Sequence, residues 1–203
     1  MPLWEPSIGA FLQESKLSRI SKRYPAAARS VITMTDTTST ESISAANGDH
    51  TTNGIPNGLT SLTPFLAVTN AKEAIAFYRD VFGARVVGQT EMGGVVVHAE
   101  LDLGNGHLQL GEPNPEYHLV PSPAGEDDCY SLGLYCQDAD GLVKKAEQAG
   151  ATIREPLSTF VSGDRYASIR DPFGVRWSIM TRVEDLSEEE SNRRVDEWAA
   201  QQG

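Results

Sequence analysis

FLAVTNAKEAIAFYRDVFGA, residues Phe65–Ala84, is the stretch on which the fold is read. Ser61–Val68 is a strand of near-continuous apolar character, and Asn70 after it supplies a helix N-cap. Ala71, Ala74, Ile75, Tyr78, Val81 and Phe82 then recur at steps of three and four, the spacing of one helix face. Gly83 ends the helix, because it reaches the left-handed conformation at no steric cost. Downstream lie a short strand Arg85–Gln89, a Gly93-Gly94 turn and a strand Val95–Leu103. A tight Gly104-Asn105-Gly106 turn and a strand His107–Leu110 follow. The order is β-α-β-β-β.

The same order returns about 68 residues later. Tyr130–Cys136 reads as a strand, and Asp138 or Asp140 caps a helix through Leu142, Val143, Ala146 and Ala149, closed by Gly150. Thr152–Glu155, Tyr166–Arg170 and Arg176–Thr181 read as strands, the last two joined by the turn Asp171-Pro172-Phe173-Gly174. An offset this steady over several elements points to duplication. One module alone leaves an apolar sheet face bare, so two must pair. The predicted architecture is α+β, with two tandem βαβββ modules at residues 59–125 and 126–183 forming a cup-shaped mixed sheet.

The flanks differ in texture. Residues 1–58 are expected to form a disordered extension, since residues 35–58 are rich in Thr, Ser, Asn and Gly. Trp4, Ile8, Phe11 and Leu12 have helical spacing ahead of Lys16, Arg19, Lys22 and Arg23, which suggests a targeting or surface helix. Pro2, Pro6 and Pro25 oppose it, and the reading adopted is that translation starts at Met34, with residues 1–33 a mis-assigned start. At the other end, residues 184–203 read as an acidic helix with a capping box, Ser187 and Glu190, whose Val195 and Trp198 pack on the body or on a second subunit.

Composition narrows the partners. The chain has 203 residues and a net charge of −11, with 39% hydrophobic and 22% charged residues. The basic surplus sits in residues 1–34 and the densest acid in residues 184–203. An acidic body repels phosphate backbones, so nucleic acid is not expected. No apolar run approaches the roughly 18 residues of a membrane span, so no membrane partner is expected either. Cys129 and Cys136 are too few for a disulfide framework or a zinc knuckle and read as free thiols, with a cytoplasmic location.

The segments FLAV, AIAFY and FGA of Phe65–Ala84, together with His98-Ala-Glu-Leu101, Gly163-Asp-Arg-Tyr166 and Arg170-Asp-Pro-Phe-Gly-Val-Arg-Trp177, resemble the PhnB-like branch of the vicinal oxygen chelate superfamily, which includes glyoxalases, bleomycin-resistance proteins and dioxygenases. The resemblance covers residues 59–183. It implies paired modules around a cup-shaped cavity, a homodimer, and a divalent metal in those members that are enzymes. Such enzymes carry His, Glu or Gln on the first and last strand of each module. The matching positions here are Thr63, Gln109, Ser131 and Ser178. Two serines, a threonine and one neutral amide cannot supply the imidazole, carboxylate or thiolate field a transition metal needs, so no metal and no cofactor is expected.

These four positions are read instead as ligand contacts, with Phe65, Tyr135 and Arg165 beside them. Arg165 could grip a substrate anion, or pair with Asp164 or the acidic tail. His98 and Glu100 lie two apart on one strand and share a face, which makes them the candidate acid–base pair. His107 and His118, at a turn and in a loop, are expected to be solvated. Phe173 and Trp177 are expected in the core, and the loop Glu112–Asp128 is a candidate lid. No nucleophile elbow, phosphate-cradling loop or dinucleotide fingerprint is present. The resulting expectation is a glyoxalase-like small-molecule-binding or sequestering protein without the usual metal site. The alternative is a lyase, isomerase or dioxygenase that uses His98 and Glu100 or an unplaced divalent metal.

Overall fold

A computed structural model describes residues 44–202. The expectations for the N-terminal helix and for a start at Met34 lie outside the described residues. Within residues 44–58, where composition suggested no order, a small hairpin forms: β1 (Thr51–Thr52) pairs antiparallel with β2 (Ile55–Pro56). Asn53 and Gly54 join them, both at positive φ (51° and 82°), as the favoured two-residue hairpin turn requires. The Asn57 amide closes the hairpin by donating to the Asp49 carbonyl at 2.9 Å. The turn dipeptide outweighs the polar composition around it.

From there the two modules unfold as duplicates. The first holds β3 (Phe65–Ala67), α1 (Ala71–Phe82), β4 (Arg85–Met92), β5 (Val95–Asp102) and β6 (His107–Gly111). The second holds β7 (Ser131–Tyr135), α2 (Ala139–Gln148), β8 (Thr152–Thr159), β9 (Asp164–Arg170) and β10 (Arg176–Arg182), followed by α3 (Glu188–Ala200). Each module is one four-stranded mixed sheet, in the order β3-β6-β5-β4 and β7-β10-β9-β8. In both, the first strand runs parallel to the last and the remaining pairs are antiparallel.

The helices show where sequence patterning and tertiary contact divide the work. α1 buries Ala71, Ala74, Ile75, Phe77, Tyr78 and Val81, the stripe its spacing promised, and Gly83 ends it at φ 74°. Its N-terminus differs from expectation. Asn70 sits in the left-handed region at φ 63° and makes no capping hydrogen bond. The Glu112 carboxylate, 41 residues away, accepts from the Ala71 N–H at 2.6 Å and from the Asn70 N–H at 3.3 Å instead. A carboxylate there also meets the positive end of the helix dipole. α2 is capped by Asp138, which accepts from the Gly141 N–H at 2.9 Å, leaving Asp140 free for another partner. For α3, Ser187 accepts from the Glu190 N–H at 3.2 Å, but the Glu190 carboxylate turns to Arg193 and Arg194, so only half of the expected box forms. Trp198 of this helix packs edge-on against Phe160, 5.0 Å between centroids.

One core serves both modules. Leu66, Val96, Ala99, Leu101, Leu108 and Leu110 from the first sheet join Ala167, Ile169, Trp177 and Ile179 from the second. Across the seam, Trp177 lies 4.8 Å from the Phe82 ring and 5.5 Å from that of Tyr78, while Phe173 sits 5.9 Å from Phe77. Burying each such ring contributes about 2–3 kcal/mol. Trp177 and Phe173 are therefore packing residues, and each sheet keeps its other face turned away from the shared core.

Candidate functional site

Strand alternation decides what those outer faces carry. In the first module, Leu66, Leu110 and Ala99 lie side by side toward the core, so Phe65, Gln109 and Glu100, also in register with one another, lie on the outer face. His98 joins them, its ring 6.1 Å from that of Phe65. The register of β5 against β4 shifts at Thr90/Glu91. Val96 is consequently buried with Ala99 and Leu101, so strict alternation does not hold at the start of β5.

His98 and Glu100 share this face, yet Glu100 takes a different partner. Its Oε1 lies 2.8 Å from Nδ1 of His107, whose side chain is only 9% exposed. His107, expected to be solvated beside its turn, is thus a carboxylate-oriented imidazole, with Asp102 Oδ1 4.0 Å from its Nε2. As expected, the residue opens β6, and it pairs with Asp102 across the sheet. Linear proximity pointed to His98, whereas the tight turn brings His107 next to Glu100.

In the second module the outer face carries Ser131, Tyr135, Tyr166, Ser168, Arg176 and Ser178. The Ser131 and Ser178 hydroxyls are 2.9 Å apart and satisfy each other. Arg176 Nε donates to Ser168 Oγ at 2.8 Å, and Tyr166 donates to Glu155 at 3.0 Å. Tyr135 is 58% exposed, with its hydroxyl 3.3 Å from Asp164. Arg165 does not belong to this face. Alternation turns it toward the helices, where it grips Asp140 with two bonds of 2.9 and 2.7 Å and holds that carboxyl below its usual range. Asp164 pairs with Arg182 instead. Thr63 sits in the approach to β3, its hydroxyl 3.4 Å from the Thr60 carbonyl.

Two further features were not anticipated. A groove of ≈ 420 Å³ opens at the seam between the modules, walled by Leu62, Leu103, Leu108, Leu132, Leu134 and Trp177, with Thr60, His107 and Tyr135 among its few polar residues. At the far end of the second sheet, Arg154, Arg170 and Arg176 converge on Asp128 of the connecting loop. Arg170 and Arg176 stand opposite each other in register, so their shared face was open to inference from alternation; the arrival of Asp128 was not.

With this geometry in place, comparison with known proteins settles the lineage. Residues 27–179 match the glyoxalase/bleomycin resistance protein/dioxygenase superfamily. The chain belongs to that superfamily. An uncharacterised protein of Mycobacterium bovis is 30% identical over 135 residues, covering 64% of this chain and 88% of that protein. Among solved structures, TioX from Micromonospora sp. ML1 is similar with a TM-score of 0.50 and 28% identity, over 61% of this chain and 98% of that one. Protein PA1353 from Pseudomonas aeruginosa shares the fold at a TM-score of 0.50 and 20% identity, again over 61% and 98%.

Glyoxalase-type enzymes of the superfamily use a divalent metal, and the four residues at the matching positions do not fit one. Ser131 and Ser178 are neutral hydroxyls already bonded to each other, Thr63 bonds its own turn, and Gln109 offers a single amide. None brings the imidazole, carboxylate or thiolate lone pairs such an ion requires. Among the described residues, no three His, Cys, Asp or Glu side chains converge as a metal site needs. Among the same residues, no helix is long and apolar enough to cross a membrane.

Proposed function

We propose that this superfamily member binds and sequesters a small molecule, belongs to the PhnB-like branch on the motifs AIAFY and DPFGVRW, and works as a cytoplasmic homodimer whose second copy covers the outer sheet faces. The observation that carries the reading is the Ser131–Ser178 hydroxyl pair on the second sheet's outer face, which also carries Tyr135, matched by Phe65 and Gln109 side by side on the first sheet's outer face: hydrogen-bonding groups without net charge, suited to orienting an organic ligand. The leucine-walled seam groove adds apolar surface of the kind that gives such ligands their affinity.

Native mass spectrometry of the purified chain, paired with elemental analysis, tests this. The expected result is a dimer retaining a small organic molecule, with metal far below one per chain. Stoichiometric nickel, zinc, iron or manganese overturns it in favour of lyase, isomerase or dioxygenase chemistry. An acid–base reading is favoured by one contact, Glu100 with His107 at 2.8 Å. On that reading Glu100 orients His107, and His98 contributes only its ring beside Phe65. Turnover lost in His107→Asn and kept in His98→Asn would support it.

A further inference from the structure

Three guanidiniums of the second module surround one carboxylate without hydrogen bonding to it well. Asp128 Oδ1 lies 3.5 Å from Arg170 Nε, and its Oδ2 lies 3.6 Å from Arg176 Nη1 and 3.9 Å from Arg154 Nε. Arginine–carboxylate hydrogen bonds normally close to about 2.7–2.9 Å. Asp128 Oδ1 and Arg154 Nε are both buried and neither has a hydrogen-bond partner, although the Asp128 side chain is only 7% exposed. The arginines spend their other donors on holding the loop and the sheet. Arg170 donates to the carbonyls of Pro123 (2.7 Å) and Gly125, Arg154 to the carbonyl of Glu126 (3.2 Å), and Arg176 to Ser168. Two more carboxylates touch the cluster from its rim: Glu126 on Arg154, mostly exposed, and Glu155 on Arg176, half exposed. Inside that rim, Asp128 is the one carboxylate facing the three guanidiniums.

We infer that Arg154, Arg170 and Arg176 form an oxyanion-binding site that the loop carboxylate of Asp128 fills from within the chain, and that a carboxylate or phosphoryl group on the bound small molecule displaces it. Asp128 is carried by a connecting segment that has no strand between Gly111 and Ser131, so its oxygens go where the loop lets them. A free oxyanion can rotate to meet the planar forks and satisfy the donor that Asp128 leaves orphaned. The site is continuous with the proposed ligand face, since Arg176 bonds Ser168 and Ser168 stands in register with Ser178. The inference rests on the binding reading only for where the anion comes from.

The test uses the full chain, with inorganic phosphate and acetate as probes against chloride at matched ionic strength. Asp128→Asn removes the internal charge and keeps the shape. It should bind phosphate or acetate at least tenfold more tightly than the parent by calorimetry, and adding Arg176→Gln should abolish the gain. Preference for phosphate assigns a phosphoryl ligand, and preference for acetate a carboxylate. Should the variant be too unstable for calorimetry, its melting temperature should still rise with either oxyanion and not with chloride. Affinity within twofold of the parent, or oxyanions acting no differently from chloride, overturns the inference. A small molecule retained in native mass spectra alongside that result would leave the binding reading standing and remove only the anion site.

Discussion

The Tyr78 hydroxyl, on the helix of the first module, donates a 2.7 Å hydrogen bond to Oδ2 of Asp171 in the turn of the second, 93 residues away. Trp177 Nε1 donates to the same oxygen at 2.9 Å, and the N–H groups of Phe173 and Val175 donate to Oδ1, each at 2.9 Å. A carboxylate with 4% exposure thereby has both oxygens satisfied, and the bond from Tyr78 ties one duplicate to the other. Asp171 does more than start a turn.

Tyr78→Phe removes that donor and leaves the ring packing intact. Losing a hydrogen bond to a buried charged group costs about 1.5–3 kcal/mol, and urea denaturation should show a loss of that size. A change below about 0.5 kcal/mol would mean the two modules are held by ring packing alone.

The pH dependence of Asp171 has a defined sign. Burial raises its carboxyl above the usual range, against the opposing pull of its hydrogen-bond donors. A group raised on folding stabilises fully below its unfolded value of about 3.9, and that contribution is lost as pH climbs through the raised folded value. The stability of the parent chain relative to Asp171→Asn should therefore fall as pH rises from about 4 through that window. Paired urea titrations at several pH values measure it, and a difference that grows with pH would contradict the assignment.

The cap of α1 offers a test of sequence reading against tertiary contact. Glu112→Ala should destabilise the chain by about 0.5–2 kcal/mol, the range of a lost N-cap. Asn70→Gly should be close to neutral, because Asn70 supplies a left-handed backbone and no side-chain cap. The reverse ranking in thermal melts would restore Asn70 as the cap.

Ligand retention separates the outer face from its surroundings. Ser178→Trp fills the face at the Ser131–Ser178 pair and should abolish any small molecule seen by native mass spectrometry. Arg165→Gln breaks only its exposed contact with Asp140 and should leave retention unchanged. Loss of ligand in the arginine variant would return Arg165 to the site.

Much of the candidate face was open to sequence reading because alternation is a local rule. Phe65 beside Gln109 and Ser131 beside Ser178 follow from strand parity once the two modules are aligned. The sequence leaves Arg165 between an anion contact and an ion pair, although the same rule gives its face: it is two residues from Ala167, which faces the core. His107 was missed for another reason. A hairpin turn places it against Glu100, and the length of that turn, not residue type, decides which histidine meets the carboxylate.

By itself the sequence determined the duplicated βαβββ order, the buried stripe of α1 and the lack of metal-grade donors at Thr63, Gln109, Ser131 and Ser178. Each of these depends on residue type and on periods of two or about 3.6, which operate within one element. Tertiary structure alone decided the partners that cross between elements: Glu112 on the start of α1, Tyr78 on Asp171, Asp140 on Arg165, and Asp128 among three arginines. Those pairings join residues 25 to 93 apart along the chain, or bring in a loop with no period of its own. Their geometry is fixed only when a helix or loop packs on its module's sheet and, for Tyr78 and Asp171, when the two modules close on a common core.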